Sequence, residues 1–319
     1  MSGTNIEART STDTRWSRWL ETLGWKGRAV PIEHLPELRQ EILGRLERGE
    51  IDEAFYRDQL GVFSFELPAE LPDVRSMLVL AVPTPPMRVF FHRNGERIPG
   101  VLPPTYAHYN ARTASVEGVV SRWLEREGHR GARAGLPLKT LAVRSGLAEQ
   151  GRNNLCYVPG MGSFLQLVGL FTDMPCSGDP WRAARMLPRC DRCEICTNRC
   201  PTGAIDPQRF LLHAERCLTL RNENDGNLAD GIDPSWHHCL FGCMRCQDRC
   251  PQDRTVAGWV DDLVEFTEEE TSVLLQRAPS EKLDDPLAAK LESLGLSFDA
   301  ALIGRNLEAL LQATRARAR

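Results

Sequence analysis

The sequence predicts an α+β protein with helical segments at both ends and a cysteine-organised module in its second half. Three observations carry that prediction. A continuous apolar run at Met77–Val82 is closed by prolines, amphipathic helical periodicity flanks it on both sides, and nine of the eleven cysteines lie between 190 and 250. At 319 residues the chain exceeds what one core usually organises, so several units are expected. Their expected limits are 1–65 for an N-terminal helical segment, 66–180 for an α+β domain, 181–255 for the cysteine module and 256–319 for a C-terminal helical segment.

The first segment repeats Leu35, Leu38, Ile42 and Leu46 at helical spacing between charged residues. Met77-Leu-Val-Leu-Ala-Val82 then reads as a strand buried on both faces, ended by Pro83, Pro85 and Pro86. After Pro103-Pro104, residues Val116, Val119, Val120, Trp123 and Leu124 form one apolar helix stripe that stops at Gly128. A second helix is expected over Leu138–Leu147. The loop from Gly151 to Ser163 holds three glycines, which suit either a hairpin-like turn or close backbone approach to a flat ligand. A strand-like run, Phe164–Phe171, follows. Leu283, Leu287, Leu291 and Leu294 share a helix face, and Asn306, Leu307, Leu310 and Leu311 mark a final amphipathic helix.

Lysine and arginine total 39 against 43 acidic residues, a net charge of −4 that gives no global attraction for nucleic acid. Arg130, Arg133 and Arg144 could still form a local basic face. The first 25 residues are largely polar, carry Trp16, Trp19 and Trp25 and lack an apolar signal core, and no stretch approaches the roughly 18 apolar residues of a membrane span. A cytoplasmic protein without membrane contact is expected.

Cys190, Cys193, Cys196 and Cys200-Pro201 read C-x2-C-x2-C-x3-C-P, and Cys243, Cys246 and Cys250-Pro251 repeat the second half of that run. This spacing holds paired [4Fe-4S] clusters, with the last cysteine of each run crossing to the other cluster. Cluster one is therefore expected on Cys190, Cys193, Cys196 and Cys250. Cluster two takes Cys200, Cys243, Cys246 and one further thiolate, for which Cys217 is preferred and Cys239 competes. Disulfides fit poorly without a secretory leader, and zinc sites use separate cysteine pairs rather than three cysteines at three-residue steps. Cys156 and Cys176 read as small buried apolar residues. His237 and His238 could ligate a metal, although hydrogen-bonded histidines are the plainer reading.

Several of these features in register resemble epoxyqueuosine reductases and the wider group of cobalamin-dependent reductases that includes reductive dehalogenases. They are the strand-proline segment 77–86, Tyr109-Asn-Ala-Arg112, Ser145-Gly-Leu147 before Gly151-Arg-Asn153, the cysteine module with Gly242-Cys-Met-Arg-Cys246, and Gly304-Arg-Asn-Leu307. The resemblance covers roughly 70 to 255. It implies a nitroreductase-like corrinoid-binding domain followed by a ferredoxin-type 2[4Fe-4S] module, with cobalamin between them and electrons passing through the clusters to cobalt. It also implies a reduced ferredoxin or flavodoxin-type electron donor and a small-molecule or tRNA-derived substrate. The expected cobalamin loop comprises Arg152, Asn153, Asn154, Tyr157, Gly160 and Gly162. Tyr106 and Tyr109 are the candidate proton donors, with aromatic packing as the alternative.

One departure stands out. Epoxyqueuosine reductases carry an aspartate regarded as the proton donor that opens the epoxide, yet the corresponding stretch Arg130-Gly-Ala-Arg-Ala-Gly-Leu-Pro137 has no acidic residue. A general acid must lie within hydrogen-bonding reach of the atom it protonates, so an unmodified epoxide mechanism is disfavoured. Two other readings accompany the reductase: an electron-transfer or activator protein serving a partner, and a nucleic-acid-binding remnant using Arg130, Arg133 and Arg144.

Overall fold

The apolar run at 77–82 lies at the centre of the first of two packed units. The computed structural model describes residues 12–224, 228, 231–296 and 300–318. In chain order the elements are helix α1 (Thr12–Thr22), strand β1 (Lys26–Pro31), helix α2 (Leu35–Glu47), a single turn α3 (Glu53–Phe55), strands β2 (Ser76–Pro83), β3 (Met87–Arg93) and β4 (Glu96–Leu102), helix α4 (Tyr109–Arg126), strand β5 (Gly131–Arg133), helix α5 (Leu138–Arg144), short strands β6 (Glu149–Gln150) and β7 (Cys156–Tyr157), strand β8 (Leu165–Thr172), helices α6 (Ile195–Arg199) and α7 (Leu218–Glu223), strand β9 (Asp261–Phe266), and helices α8 (Glu268–Leu275), α9 (Asp285–Leu294) and α10 (Ala300–Ala318).

The main sheet has the order β1-β2-β8-β5, and every pairing is antiparallel. Strand β2 is buried from Ser76 to Val82 because both sheet faces are covered. Alternate side chains Met77, Val79 and Ala81 enter a core with α2 and α5, while Leu78, Leu80 and Val82 enter another with α1 and α4. Trp16, Trp19 and Trp123 close the second face, with ring centroids 5.0–5.4 Å apart. The two early tryptophans are thus packing residues. The expected helix over Leu138–Leu147 ends at Arg144, and Ser145-Gly-Leu147 forms the turn beyond it.

A second sheet, β4-β3-β9, combines an antiparallel hairpin with a parallel strand from the other end of the chain. The Asn94-Gly95 turn closes the hairpin, a short-range signal present in the sequence. Helices α8, α9 and α10 pack on this sheet through Leu274, Leu287, Leu291, Leu294, Ile303 and Leu307. The end segments therefore differ from a purely helical expectation, since each also supplies an edge strand. Strands β1 and β9 are short and carry charges on exposed sides, so their apolar alternation is faint. The hairpin at 87–102 also shares its core with the C-terminal helices.

Helix α10 anchors the chain around the cysteines. The Arg305 guanidinium donates to the carbonyls of Arg221 at 2.9 Å and Asn224 at 2.7 Å, and Asn306 Nδ2 donates to Asn222 O at 2.8 Å. Asn222 Nδ2 in turn reaches Gly242 O at 2.7 Å, beside Cys243. No helix among the described residues is long and apolar enough to cross a membrane.

Candidate metal centre and adjoining cleft

Short turns, rather than long helices, present the cysteines. Cys190 lies in a 3-10 turn, Cys196 is in the five-residue α6, Cys200 follows it, and Cys217 directly precedes α7. Backbone amides close these turns, with Cys200 N donating to Thr197 O at 3.2 Å, Cys217 N to Ala214 O at 3.0 Å and Cys250 N to Gln247 O at 2.9 Å. The seven run cysteines and Cys217 are half-buried, as is Cys176, whereas Cys156 and Cys239 are buried.

The thiols neighbour one another in two sets, although among the described residues no group of three or more His, Cys, Asp or Glu side chains is placed to hold a metal ion. Burial raises the Cys196 thiol, and the neighbouring Cys190, Cys193 and Cys250 add to it. Burial likewise raises Cys246 well above its ordinary range, with further contributions from Cys243, Cys217 and Cys200. Cys243 is pushed up to about 12, again by burial and then by Cys217 and Cys200. Cys196 also acts on Cys246, so the two sets adjoin. Neighbouring sulfur donors are the ligand type that iron–sulfur clusters use, and bound iron would offset the mutual repulsion of their thiolates. Cys239 is 1% exposed and packs among Phe164, Met244 and Val256, which makes it a small apolar core residue.

A cleft of about 700 Å³ separates the main-sheet unit from the cysteine module, and Cys200, Cys217, Cys243 and Cys246 line one side of it. Tyr106, Tyr109, Leu136 and Lys139 also line it. The turn carrying Tyr106 is unusual, because Thr105 (φ 76) and His108 (φ 58) both occupy the left-handed region that non-glycine residues avoid. This turn places the Tyr106 ring parallel to Phe241, 6.5 Å away, and its hydroxyl donates to Glu223 Oε1. Burial and the adjacent Glu223 push the phenol well above its ordinary range. Glu223 keeps solvent access within the recess, yet the surrounding protein raises its carboxyl; Tyr106 and Lys139 act in the opposite direction. Tyr109 stands at the rim, 44% exposed.

The expected cobalamin loop divides. Asn153 and Asn154 line the cleft. Arg152 instead braces the cysteine module, donating to Cys190 O through Nε at 3.2 Å and Nη2 at 2.7 Å, and to Pro207 O through Nη1 at 2.5 Å. Tyr157 is buried against Cys250. Gly160 and Gly162 form the turn that docks on the module, where Ser163 N and Oγ donate to Asp253 at 2.6 and 2.8 Å. At Gly162 (φ 56) a Cβ would lie 2.3 Å from Asp253 Oδ1, so only glycine fits. Much of the glycine-rich loop is therefore an inter-module joint.

The histidines also serve the scaffold. His238 Nε2 accepts from Met244 N at 3.1 Å, supporting the turn between Cys243 and Cys246. His237 is buried and lowered to about 4, by desolvation and then by Arg305. Arg130, Arg133 and Arg144 are each engaged by a carboxylate: Asp173 at 3.6 Å, Glu117 at 2.7 Å and Glu37 at 3.2 Å. Sequence reasoning missed Glu223, because only the fold brings it to Tyr106, 117 residues away. Lys139 was missed for the same reason.

The fold and site define a mixed α/β protein with a 4Fe-4S binding domain. A family described as "4Fe-4S double cluster binding domain" matches residues 189–253. The relatives it resembles are epoxyqueuosine reductases. The one from Staphylococcus aureus is 29% identical over 126 residues, covering 40% of this chain and 32% of its own. That from Synechococcus is 35% identical over 141 residues, 41% of this chain and 42% of the relative. The chain thus spans less than half the length of these curated relatives. Solved epoxyqueuosine reductases share the fold. The Streptococcus thermophilus structure has a TM-score of 0.67 at 16% identity, covering 97% of this chain and 83% of that one. A Bacillus subtilis structure, whose catalytic aspartate loop is swung out of the active site, has a TM-score of 0.64 at 21% identity, covering 96% and 82%.

Proposed function

We propose that this chain is a reductase that passes electrons through two [4Fe-4S] clusters to a cobalamin in the cleft, acting on an epoxyqueuosine-like or other organic substrate. One observation carries the reading: the second cysteine set lines a ligand-sized cleft, so an electron held there faces a bound molecule directly. Cluster one is assigned to Cys190, Cys193, Cys196 and Cys250, and cluster two to Cys200, Cys217, Cys243 and Cys246. Cys217 takes the last place because it lines the cleft with its three partners while Cys239 is packed away from it.

Bound cobalamin would supply the low-valent cobalt that reduces the substrate. The main-sheet unit is its nitroreductase-like half, with Asn154 on the cleft wall toward the corrin side chains while the Asn153 amide is held by Tyr157 and Leu155. Tyr106, held by Glu223, is the proton donor that takes the place of the missing aspartate, and Tyr109 guards the mouth. A reduced ferredoxin or flavodoxin-type donor delivers electrons at cluster one. A pure electron carrier has no use for a cleft of this size behind its clusters. A similar solved structure holds a tRNA stem loop, and a tRNA-borne substrate is the first class to test here.

Anaerobic reconstitution with iron, sulfide and cobalamin tests the reading, followed by metal analysis, EPR and absorbance titration. Two cubanes' worth of iron and sulfide with a bound, reducible corrinoid is the expected outcome. Failure to retain corrinoid in any redox state rejects the cobalamin assignment. Cys217→Ser is expected to lose one cluster and Cys239→Ser to keep both; the reverse result transfers the ligand.

A further inference from the structure

Cys250 belongs to the second run but sits with the first set, and a side chain from outside the cysteine module touches its sulfur. The Tyr157 hydroxyl lies 3.2 Å from Cys250 Sγ. That hydroxyl accepts a hydrogen bond from Asn153 Nδ2 at 2.8 Å, and Asn153 Oδ1 is itself engaged by Leu155 N at 3.4 Å, which fixes the amide's orientation. With an acceptor position filled by Asn153, the phenol's own hydrogen is directed to sulfur. Tyr157 is 5% exposed and Asn153 4%, so water does not compete. The space is prepared as well. A Cβ at Gly151 would come within 2.4 Å of Tyr157 Cε2 and 2.5 Å of Asn153 Oδ1, so the ring and the amide occupy the volume that glycine leaves open.

We propose that Tyr157 is a positioning residue that tunes cluster one, its hydroxyl donating to the Cys250 thiolate and raising that cluster's reduction potential, with Asn153 holding the hydroxyl in place. The proposal rests on the assignment of Cys250 to cluster one. A donor to a cluster sulfur draws off electron density and stabilises the reduced state, which carries one more negative charge. The step is a one-electron reduction in which the phenol keeps its proton. At cluster two the hydroxyls on sulfur come from threonines within the module, Thr202 at 3.6 Å from Cys200 Sγ and Thr219 beside Cys217, so the Tyr157 contact bears on cluster one alone. The effect is therefore selective, easing reduction of cluster one by an external electron donor.

The test compares full-length wild type, Tyr157→Phe and Asn153→Ala, each reconstituted anaerobically and titrated with dithionite under EPR. The cluster-one signal is identified as the one that Cys250→Ser removes. Expected results are unchanged iron and sulfide, a more negative midpoint for cluster one in Tyr157→Phe, a smaller shift of the same sign in Asn153→Ala, and no movement of cluster two. An unmoved cluster-one midpoint in Tyr157→Phe, or equal movement of both clusters, overturns the tuning role. Should Tyr157→Phe lose iron, Asn153→Ala decides alone, because it leaves the ring in place. If Cys250→Ser removes no signal, the ligand assignment fails first and the proposal with it.

Discussion

The Tyr106 phenol lines the cleft and donates its hydrogen to Glu223, so service as a proton donor, as proposed, requires that hydrogen to turn from the carboxylate to the substrate. A positioned general acid contributes about 10²–10⁴-fold. Tyr106→Phe is therefore expected to slow reduction of an epoxyqueuosine-bearing substrate by at least about 10²-fold, with iron content and corrinoid binding unchanged; an unaltered rate would remove the phenol from the chemistry. Glu223→Gln keeps a hydrogen-bond acceptor beside the phenol, so its expected loss is smaller. Asp253 operates at the same scale but on stability. Asp253→Ala leaves Ser163 N and Oγ without their buried acceptor, and each such loss costs about 1–3 kcal/mol. A denaturant melt showing less than about 1 kcal/mol of destabilisation would mean that the loop and the cysteine module are joined elsewhere.

At the scale of elements, the legible parts of the fold were those with strong local periodicity. Strand β2 could be read because both of its faces are apolar, and α2 and α4 because their stripes recur at helical spacing. The edge strands β1 and β9 could not, since their sides toward solvent are charged and their pairing partners lie far along the chain. The 4Fe-4S binding module at 189–253 was legible because cluster ligation constrains local cysteine spacing; the Tyr106–Glu223 pair was not, because tertiary contact alone creates it. One link between elements yields a pH prediction. His34 precedes α2 and bonds Glu37 at 2.7 Å and Asp179 at 2.8 Å while stacking on Trp181 at 4.6 Å. Burial lowers its pKa, but the hydrogen bonds and charges of Asp179 and Glu37 outweigh that and raise it above the ordinary 6.5. A raised folded-state value means that the contribution is complete below 6.5 and is lost as pH rises through the folded value. Melts from pH 5.5 to 8.5 should therefore show wild type losing stability relative to His34→Gln across the neutral range. The slope will be shallow, because both carboxylates are about half exposed. Parallel curves would mean that the histidine titrates alike in the folded and unfolded chains.

For the molecule as a whole, the distribution of apolar burial determines what iron does for stability. The main sheet has an extensive core on each face, and the second sheet shares another with the C-terminal helices. The cysteine module has little of its own: its small cluster joins Cys239 and Met244 to Phe164 and Val256 from outside the module. Crowded thiols with raised pKa values add nothing favourable once they ionise without iron. Folding energy in such a module comes largely from the metal. Removing iron with a chelator should therefore open residues 188–256 to protease while the main sheet persists. The Arg305 and Asn306 tethers to 221–224 should retain α10 on the second sheet but release the chain beyond Gly242. Limited proteolysis read by mass spectrometry, with circular dichroism alongside, distinguishes this from a single cooperative collapse: early cuts confined to the cysteine module are expected, with most sheet signal retained. Simultaneous cutting in the main sheet would mean that the joint at Gly162 and Asp253 couples the two parts more tightly than their separate cores suggest.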